Sequence, residues 1–404
     1  MATRTDSAPV TCPLGHGRDD RKSAALADAM LTPQKGARVI ERFYPARETL
    51  RSAKVRQAGA HSADTDISDP AKVSFFFLDG NEHRKRRASV AGLFAPKTIV
   101  NRHQVVMNRT MDLLEAKLKA RGSMPLDELS FQMAVDVTAD IIGLTNSDSN
   151  ENLAQRIKAV LDSSASRRPG LFGNLVFGAR MAWRVGQFYR KDLKPAIDAR
   201  RKVPQDDVIS AMIKDGSGRK LMTMEALSYG GAGMMTTREF IVMAAWHLFE
   251  NEALRTRYLN GDEADQLAIL QEILRLEPVA SLVHRRVAEP IAAEETGGEA
   301  STVGEVVAVN IRAVNTDEAI TGPCPYELDP DRAKRMKVLG PYLSFGDGAH
   351  RCPGAQVALH ETRIFLDRLF RLPGIRLVSE PTVLWNAFIQ GYELRGAVVA
   401  CDPG

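Results

Sequence analysis

Five segments of helix length carry apolar residues at three- and four-residue spacing, and this pattern constrains the fold more than any other feature of the chain. They are residues 109–122, 130–144, 224–250, 265–278 and 354–370. Apolar residues at this spacing line one face of an α-helix, which has to be buried. Strand-like segments are short, rich in valine and gathered late. They are residues 301–311, 375–380 and 394–402. The sequence therefore predicts a mainly α fold with a smaller β-rich lobe.

Composition limits the class of protein. The 404 residues are 44% hydrophobic and 26% charged, which is ordinary for a globular chain. No repeat or linker divides them, so we expect a flexible leader over residues 1–20 and a single domain over residues 21–404. No window reaches the roughly 18 consecutive apolar residues of a membrane helix, and the start lacks the apolar core of a signal peptide. We expect a soluble, cytoplasmic protein.

The charge predicts no nucleic-acid partner. The formal net charge of +4 is small for this length, and no block of Lys and Arg resembles a nucleic-acid-binding arm. A monomer is the default expectation.

The stretch FGDGAHRCPGAQVALHETR, residues 345–363, places one cysteine among three glycines. Gly346, Gly348 and Gly354 allow the backbone conformations that a loop against a flat cofactor needs. Cys352 directly precedes a predicted helix, with Pro353 at a plausible first helical position. Since a helix N-terminus stabilises a thiolate, a metal-bound thiolate fits this position. A buried structural cysteine is the alternative.

The same stretch carries a specific pattern, Phe-x-x-Gly-x-His-x-Cys-x-Gly. It is formed by Phe345, Gly348, His350, Cys352 and Gly354. The pattern resembles the haem-binding loop of the cytochrome P450 family. This resemblance implies that Cys352 is the proximal iron ligand of haem b, a thiolate that favours O–O bond cleavage. It also implies that His350 bonds a haem propionate and that Phe345 packs beside the ligand loop.

The motif EILR places Glu272 and Arg275 three residues apart, on one face of a predicted helix. By itself this spacing indicates only an ordinary helix salt bridge. Its position before the cysteine loop resembles the Glu-x-x-Arg pair of the P450 family, which braces the segment beneath the haem together with a third residue. Asn315, Pro330 and Arg332 are the candidates for that third partner, and the sequence does not choose among them.

HRRVAEP, residues 284–290, resembles the Arg-x-Ala segment of the same family. The resemblance implies that Arg286 pairs with a haem propionate through a charge-assisted bond, with Arg285 as the second choice. The alternative is that both arginines face solvent.

GNEHRKRRASVAGLFAP, residues 80–96, resembles the Glu-His-x-x-x-Arg helix of the family. His83 and Arg87 are four residues apart and share a helical face, which would let both reach propionates. The intervening Arg84, Lys85 and Arg86 point elsewhere. They could form a basic patch suited to an acidic electron donor.

SYGGAGMMTTREFIVMAAWHLF, residues 228–249, resembles the central helix that crosses the haem. The residues that match the family pattern are Ala232, Gly233, Met234, Thr236 and Thr237. Met235 replaces the usual acid.

The resemblance assigns roles to these residues. The small Ala232 and Gly233 give room for dioxygen, and Thr236 bends the helix and holds water near the oxygen. A thioether cannot titrate, so Met235 cannot relay protons. Arg238, Glu239, a water chain or a polar group on the substrate could substitute, and Met235 could also be a plain core methionine.

The family architecture also implies which side chains line the substrate pocket. They are Phe75, Phe76, Phe77, Leu171, Phe172, Met234, Val279, Leu282, Val283, Phe388 and Ile389. These side chains predict an apolar pocket, although at least half of the phenylalanines are expected in the core.

Taken together, the resemblance implies a bacterial-type haem-thiolate monooxygenase that inserts one oxygen atom of O2 into an apolar small molecule. Electrons would come from NAD(P)H through a ferredoxin or flavodoxin with its reductase. Because the acid is missing, a peroxide-driven or oxidative-coupling haem-thiolate enzyme stays open. A haem-binding sensor without turnover is the alternative from another class.

Overall fold

The computed structural model describes residues 18–58, 69–162, 171–387 and 389–402, without the side chains of residues 71, 162 and 171–175. The helices are Ala24–Met30 (α1), Phe43–Arg51 (α2), Gly80–Val90 (α3), Pro96–Thr98 (α4), Gln104–Arg121 (α5), Leu126–Ile142 (α6), Asn150–Asp162 (α7), Leu171–Phe188 (α8), Lys194–Lys202 (α9), Val208–Lys214 (α10), Arg219–Gly230 (α11), Thr236–Glu250 (α12), Glu252–Asn260 (α13), Glu263–Leu276 (α14), Ala293–Thr296 (α15), Ile311–Asn315 (α16), Glu318–Thr321 (α17), Arg332–Met336 (α18) and Ala355–Phe370 (α19).

Within the described residues the strands form three small sheets. They are Arg38–Ile40 (β1), Val55–Gln57 (β2), Ser123–Pro125 (β3), Leu282–Val287 (β4), Val306–Asn310 (β5), Arg376–Ser379 (β6), Thr382–Asn386 (β7), Gly391–Arg395 (β8) and Val398–Ala400 (β9). The largest sheet has the order β1-β5-β4-β2, with β1 parallel to β5 and the other pairs antiparallel. The others are β3-β9-β6 and the hairpin β7-β8. The predicted fold class, mainly α with a smaller β-rich part, is confirmed.

Helix α12 lies in the core of the helical part. Its residues 240–245 are at most 2% exposed and belong to one apolar cluster with residues of α5, α6, α14 and α19. A helix that is apolar on all sides has to be surrounded by other elements. Helix α11, a π-helical turn over Gly231–Met235 and α12 follow one another without a break. The central helix therefore holds the middle of the chain in a fixed position relative to α19, which follows the cysteine loop.

The described end of the predicted leader is packed against the body. The Asp20 carboxylate accepts a hydrogen bond from the Leu328 N–H at 2.8 Å, and the Asp20 N–H donates to the Tyr326 carbonyl at 3.1 Å. The Ser23 N–H donates to the buried Glu277 carboxylate at 3.0 Å. Residues 1–17 lie outside the described residues. The chain is thus held in place from about Asp20, inside the range predicted to be a leader.

No helix in the described ranges is both long and apolar enough to cross a membrane.

Candidate active site

The cysteine loop is closed by a backbone hydrogen bond. The Cys352 N–H donates to the Phe345 carbonyl at 2.9 Å, which brings the two ends of the FGDGAHRC segment together. Phe345 packs against the main apolar cluster and fixes the loop to the core. Helix α19 begins at Ala355, so the expected helix start at Pro353 is corrected by two residues.

The environment of the Cys352 thiol combines burial with positive charge. Burial raises the pKa of the thiol, while the Gly354 N–H and the guanidinium groups of Arg87 and Arg351 act in the opposite direction. The net pKa stays above the usual value, so these groups alone do not ionise the thiol. A bound metal cation would complete the stabilisation of a thiolate here.

Two of the loop glycines adopt a backbone conformation that other residues avoid. Gly346 and Gly348 both have φ of +67°. A Cβ on Gly348 would also lie only 2.3 Å from the Leu50 carbonyl oxygen, so the loop approaches α2 as closely as it can. The glycine spacing is therefore required by the loop itself, whatever the loop binds.

His83 and His350 lie side by side although they are distant in sequence. Their ring centroids are 4.1 Å apart, and the His350 Nε2 is 2.9 Å from the Asp79 carboxylate. Asp79 also accepts a hydrogen bond from the Gln57 N–H at 3.0 Å. Burial opposes ionisation of Asp79, but these two bonds dominate and lower its pKa. Asp79 was not singled out from the sequence; its place directly before α3 is the only feature that could have indicated it.

His83 is buried in a way that needs an external partner. The residue is 1% exposed, and neither of its ring nitrogens has a hydrogen-bond partner among the described residues. Burial, with the charges of His350 and Arg87 adding to it, lowers the pKa of His83 to about 4. The neutral imidazole still carries one N–H, and leaving that donor unpaired in the interior is unfavourable. Arg87, one turn later, reaches the Arg351 carbonyl with its guanidinium group.

The expected role of Arg286 is not supported by its position. Arg286 is exposed and donates to the Gly304 carbonyl at 3.2 Å, whereas Arg285 is 4% exposed and donates to the Gln57 side chain at 2.6 Å. Successive residues of strand β4 point to opposite faces, so only one of the two arginines can face the site. Burial lowers the pKa of Arg285 to about 10, with Asp79 acting against the shift. We therefore replace Arg286 by Arg285 as the candidate partner of an anionic group.

The third partner of the Glu-x-x-Arg motif is Arg332. The Glu272 carboxylate accepts two hydrogen bonds from Arg275, both of 2.8 Å, and one from the Arg332 Nε at 3.2 Å. All three side chains are at most 2% exposed. Asn315 contributes differently, since its amide donates to the Arg275 carbonyl at 3.2 Å and its oxygen accepts from the Leu343 N–H at 3.0 Å. The triad and Asn315 join α14 to the segment that leads into the cysteine loop.

The central helix widens where the sequence pattern predicts a bend. The five residues Gly231–Met235 form a π-helical turn, and the Thr236 hydroxyl donates to the Ala232 carbonyl at 2.6 Å. A threonine that bonds back to the residue four earlier bends a helix, and π turns are frequent at functional sites. Thr237, the next residue, is buried in α12.

Gly233 serves a purpose that the resemblance did not imply. A Cβ at this position would lie 2.6 Å from the Thr138 hydroxyl of α6, so the glycine allows the two helices to pack closely. Gly230 and Gly231 similarly face Ile157 and Leu161 of α7. Ala232 is the exposed residue of the turn. The close packing of Gly233 is additional to the role expected of Ala232 and Gly233 beside dioxygen, which stays a prediction.

The groups expected to replace the acid at Met235 are already engaged. Met235 is 8% exposed. The Glu239 carboxylate is buried and accepts hydrogen bonds from the Leu394 N–H at 2.7 Å, from Arg238 at 2.7 Å and from Arg395 at 2.9 Å. This arrangement ties α12 to β8. Glu239 and Arg238 therefore belong to a structural ion-pair network, and they are poor candidates for carrying protons.

The side chains expected to line the pocket are divided between buried and partly exposed positions. Phe75 and Met234 are buried in the second apolar cluster, which contains residues of α6, α7 and α11. Phe76, Phe77, Val283 and Ile389 are partly exposed, and Val279 and Leu282 are 7% exposed. The side chains of Leu171 and Phe172 and the whole of Phe388 lie outside the described residues. The core placement of Phe75 follows the expectation that many of the phenylalanines pack internally.

Taken together, these groups fit a haem with a thiolate ligand. The Cys352 thiol lacks a cation strong enough to ionise it, and the buried neutral His83 lacks an acceptor among the described residues. An iron porphyrin supplies both, the iron for Cys352 and a carboxylate for His83. Arg87 is a half-buried cation that acts on both groups, and buried Arg285 is coupled to Asp79, the partner of His350.

Comparisons with known proteins agree with this geometry. The family model described as Cytochrome P450 matches residues 267–372, which include the Glu-x-x-Arg motif and the cysteine loop. The chain is 26% identical to the biotin biosynthesis cytochrome P450 of Bacillus subtilis (strain 168), over 78% of this chain and 76% of that protein. It is 25% identical to nocardicin C N-oxygenase of Nocardia uniformis subsp. tsuyamanensis, over 86% and 84% of the two chains.

The fold is also that of solved structures. The crystal structure of P450BioI in complex with a fatty-acid-ligated acyl carrier protein superposes with a TM-score of 0.73 at 20% identity, covering 94% of this chain and 98% of that one. The crystal structure of CalO2 gives a TM-score of 0.75 at 20% identity, covering 95% and 96%.

Proposed function

Because this chain belongs to the cytochrome P450 family and is a haem-thiolate monooxygenase, we propose that it inserts one oxygen atom of O2 into an apolar small molecule, using electrons from NAD(P)H delivered by separate partner proteins. When bound, the haem supplies the iron at which dioxygen is activated. Cys352 provides the thiolate ligand, and Phe345 and the loop glycines hold it in place.

The apolar character of the side chains beside the site supports the substrate class. Leu282 and Val283 begin strand β4, and Val279 lies three residues before it. Phe76 and Phe77 lie in the turn before α3. Side chains of this kind bind substrates by excluding water and provide few hydrogen bonds. The Thr236 hydroxyl is the polar group of the central helix that can hold a water molecule beside the reacting oxygen.

A basic patch on α3 supports the proposal of an acidic electron donor, although the patch has one residue fewer than expected. Arg84 and Lys85 are exposed on α3, on the helix that also carries Arg87. Arg86 turns inward and donates to the carbonyls of Val73 at 2.7 Å and Pro70 at 2.5 Å. Arg86 is therefore removed from the proposed patch, and Arg84 and Lys85 would steer a ferredoxin or flavodoxin towards the side of α3.

Turnover in ¹⁸O-labelled dioxygen tests this proposal. The purified enzyme is combined with a ferredoxin, its reductase and NADPH, and with a set of apolar substrates that includes fatty acids, terpenes and macrolides. One labelled oxygen atom in the product and no turnover without the partner proteins are expected. Product formed only with added hydrogen peroxide would overturn the proposed electron supply.

The missing acid favours a second candidate, a peroxide-driven enzyme, because Met235 cannot titrate and Glu239 is fully hydrogen-bonded. If protons limit the reaction with O2, Met235→Asp should raise the fraction of electrons found in product at least about twofold, since positioned acids accelerate proton transfer strongly. The measurement is product formed per NADPH consumed, with hydrogen peroxide determined in parallel.

Met235→Leu is the matched control, because it keeps the apolar volume and adds no titrating group. Its coupling, the product formed per NADPH consumed, should equal that of the wild type. Unchanged coupling in Met235→Asp would show that protons reach the oxygen by another route.

A further inference from the structure

Tyr229 occupies an aromatic enclosure near the end of α11, two residues before the π turn of the central helix. Its ring centroid lies 5.7 Å from Phe75, 5.2 Å from Phe76 in an edge-to-face arrangement, and 6.3 Å from the stacked ring of Phe94. The residue is 7% exposed. Three aromatic rings thus hold the tyrosine in one orientation and leave its hydroxyl little freedom.

The hydroxyl of Tyr229 has no hydrogen-bond partner among the described residues. Buried tyrosines normally place this group against an acceptor, because an unsatisfied polar atom costs free energy. A phenylalanine would fill the same aromatic enclosure without that cost. The sequence therefore keeps a polar group where the packing of the protein alone does not need one.

The nearest acidic side chain does not explain the hydroxyl. Glu225 lies one turn earlier on α11, but its two oxygens accept hydrogen bonds from the Phe75 N–H and the Ser74 hydroxyl, both at 2.8 Å. Burial raises the pKa of Glu225 to about 7 despite these bonds. Burial, with the Glu225 charge adding to it, also raises the pKa of Tyr229, so its hydroxyl keeps its proton and remains a donor.

The surroundings of Tyr229 indicate where its partner lies. The ring of Phe75 is 5.7 Å from Tyr229 and also 5.7 Å from His83, so it is a common neighbour of two buried side chains that both lack a partner among the described residues. The charge of Arg87 acts on both Tyr229 and His83. One anionic acceptor beside Arg87 would therefore satisfy two donors that come from different helices.

We propose that the Tyr229 hydroxyl donates a hydrogen bond to the haem propionate that His83 and Arg87 face from α3. The central helix would then bind the propionate carboxylate of the haem through Tyr229, in addition to crossing the face of the haem. Tyr229 is a positioning residue in this account. The inference rests on haem binding and is independent of the substrate and electron donor proposed above.

The test is the rate at which the holoenzyme transfers haem to excess apomyoglobin, followed in the Soret region. Tyr229→Phe should release haem roughly ten- to a hundredfold faster, because a hydrogen bond to a charged acceptor is lost while the ring packing is kept. Tyr258→Phe is the matched control. It removes a buried hydroxyl that donates to the Arg363 carbonyl at 2.9 Å, and its haem release should stay at the wild-type rate.

A double-mutant cycle separates this role from general loosening of the structure. If Tyr229 and His83 bind one carboxylate, the effects of Tyr229→Phe and His83→Gln on haem release should be non-additive. Unchanged release from Tyr229→Phe overturns the proposal, and so does equal acceleration in Tyr258→Phe. A change confined to substrate affinity also overturns it. A wild-type protein that binds no haem would instead contradict the assignment of the site as a whole.

Discussion

Glu272→Gln should lower the free energy of unfolding by about 3–5 kcal/mol, because it leaves two buried guanidinium groups without their counter-charge. Arg275 and Arg332 are at most 2% exposed, and both donate to the Glu272 carboxylate. Their remaining N–H groups donate to backbone carbonyls, among them Pro325 at 2.8 Å and Thr321 at 2.8 Å, so neither arginine can turn to solvent without breaking these bonds. Chemical denaturation of the holoenzyme measures the loss.

Glu263→Gln is the matched control on the same helix. The Glu263 carboxylate is 53% exposed and pairs with Arg363 at 3.0 Å, so its removal should cost no more than about 1 kcal/mol. If both substitutions lower the free energy of unfolding by the same small amount, the triad does not hold α14 to the segment before the cysteine loop.

Glu361→Gln should remove the part of the fall in the free energy of unfolding at alkaline pH that Glu361 causes in the wild type. Glu361 is buried in α19, and its Oε1 has no partner among the described residues. Burial, with the Asp136 charge adding to it, raises the pKa of Glu361 from 4.5 to about 8. The folded protein therefore retains a proton that the unfolded chain releases, and stability falls as pH rises from about 4.5 to 8.

The measurable quantity is the difference in the free energy of unfolding between variant and wild type. From pH 5 to pH 9 this difference should shift in favour of the variant by on the order of 4 kcal/mol, at about 1.4 kcal/mol per pH unit of the shift. Using the difference cancels the parallel contribution of Glu225, whose raised pKa is present in both proteins. Exposed Glu128→Gln should show no such shift. A difference that stays constant with pH would show that Glu361 is not retained as the protonated acid.

The helices were predictable because their signal extends over several turns. The segment 354–370 became α19 at Ala355–Phe370, and 265–278 became α14 at Glu263–Leu276. Several strands were not predicted because they are only three to six residues long, which is too short for an alternating apolar pattern to be recognised. Strand β4 is the consequential case. Without knowing that residues 284–286 are extended, the sequence could not decide whether Arg285 or Arg286 faces the site.

At the site, the sequence predicted which residues share a helical face, but it did not predict which residues far apart in the chain contact one another. His83 and Arg87 were placed together because four residues make one helical turn. Arg332 lies 60 residues from Glu272, and only the fold brings the two side chains within 3.2 Å. The roles of Gly233 and Tyr229 depend on Thr138 and Phe75, which lie on other segments of the chain. Contacts of this kind leave no periodic pattern in the sequence.

The carbon-monoxide difference spectrum of the reduced protein, compared with that of Cys352→Ser, tests most directly the claim that Cys352 binds haem iron as a thiolate. We expect a Soret band at the position typical of a thiolate ligand in the wild type, and its loss in the variant. A protein without haem would show that Cys352 is not an iron ligand, and so would a histidine-type spectrum or a band unchanged in Cys352→Ser.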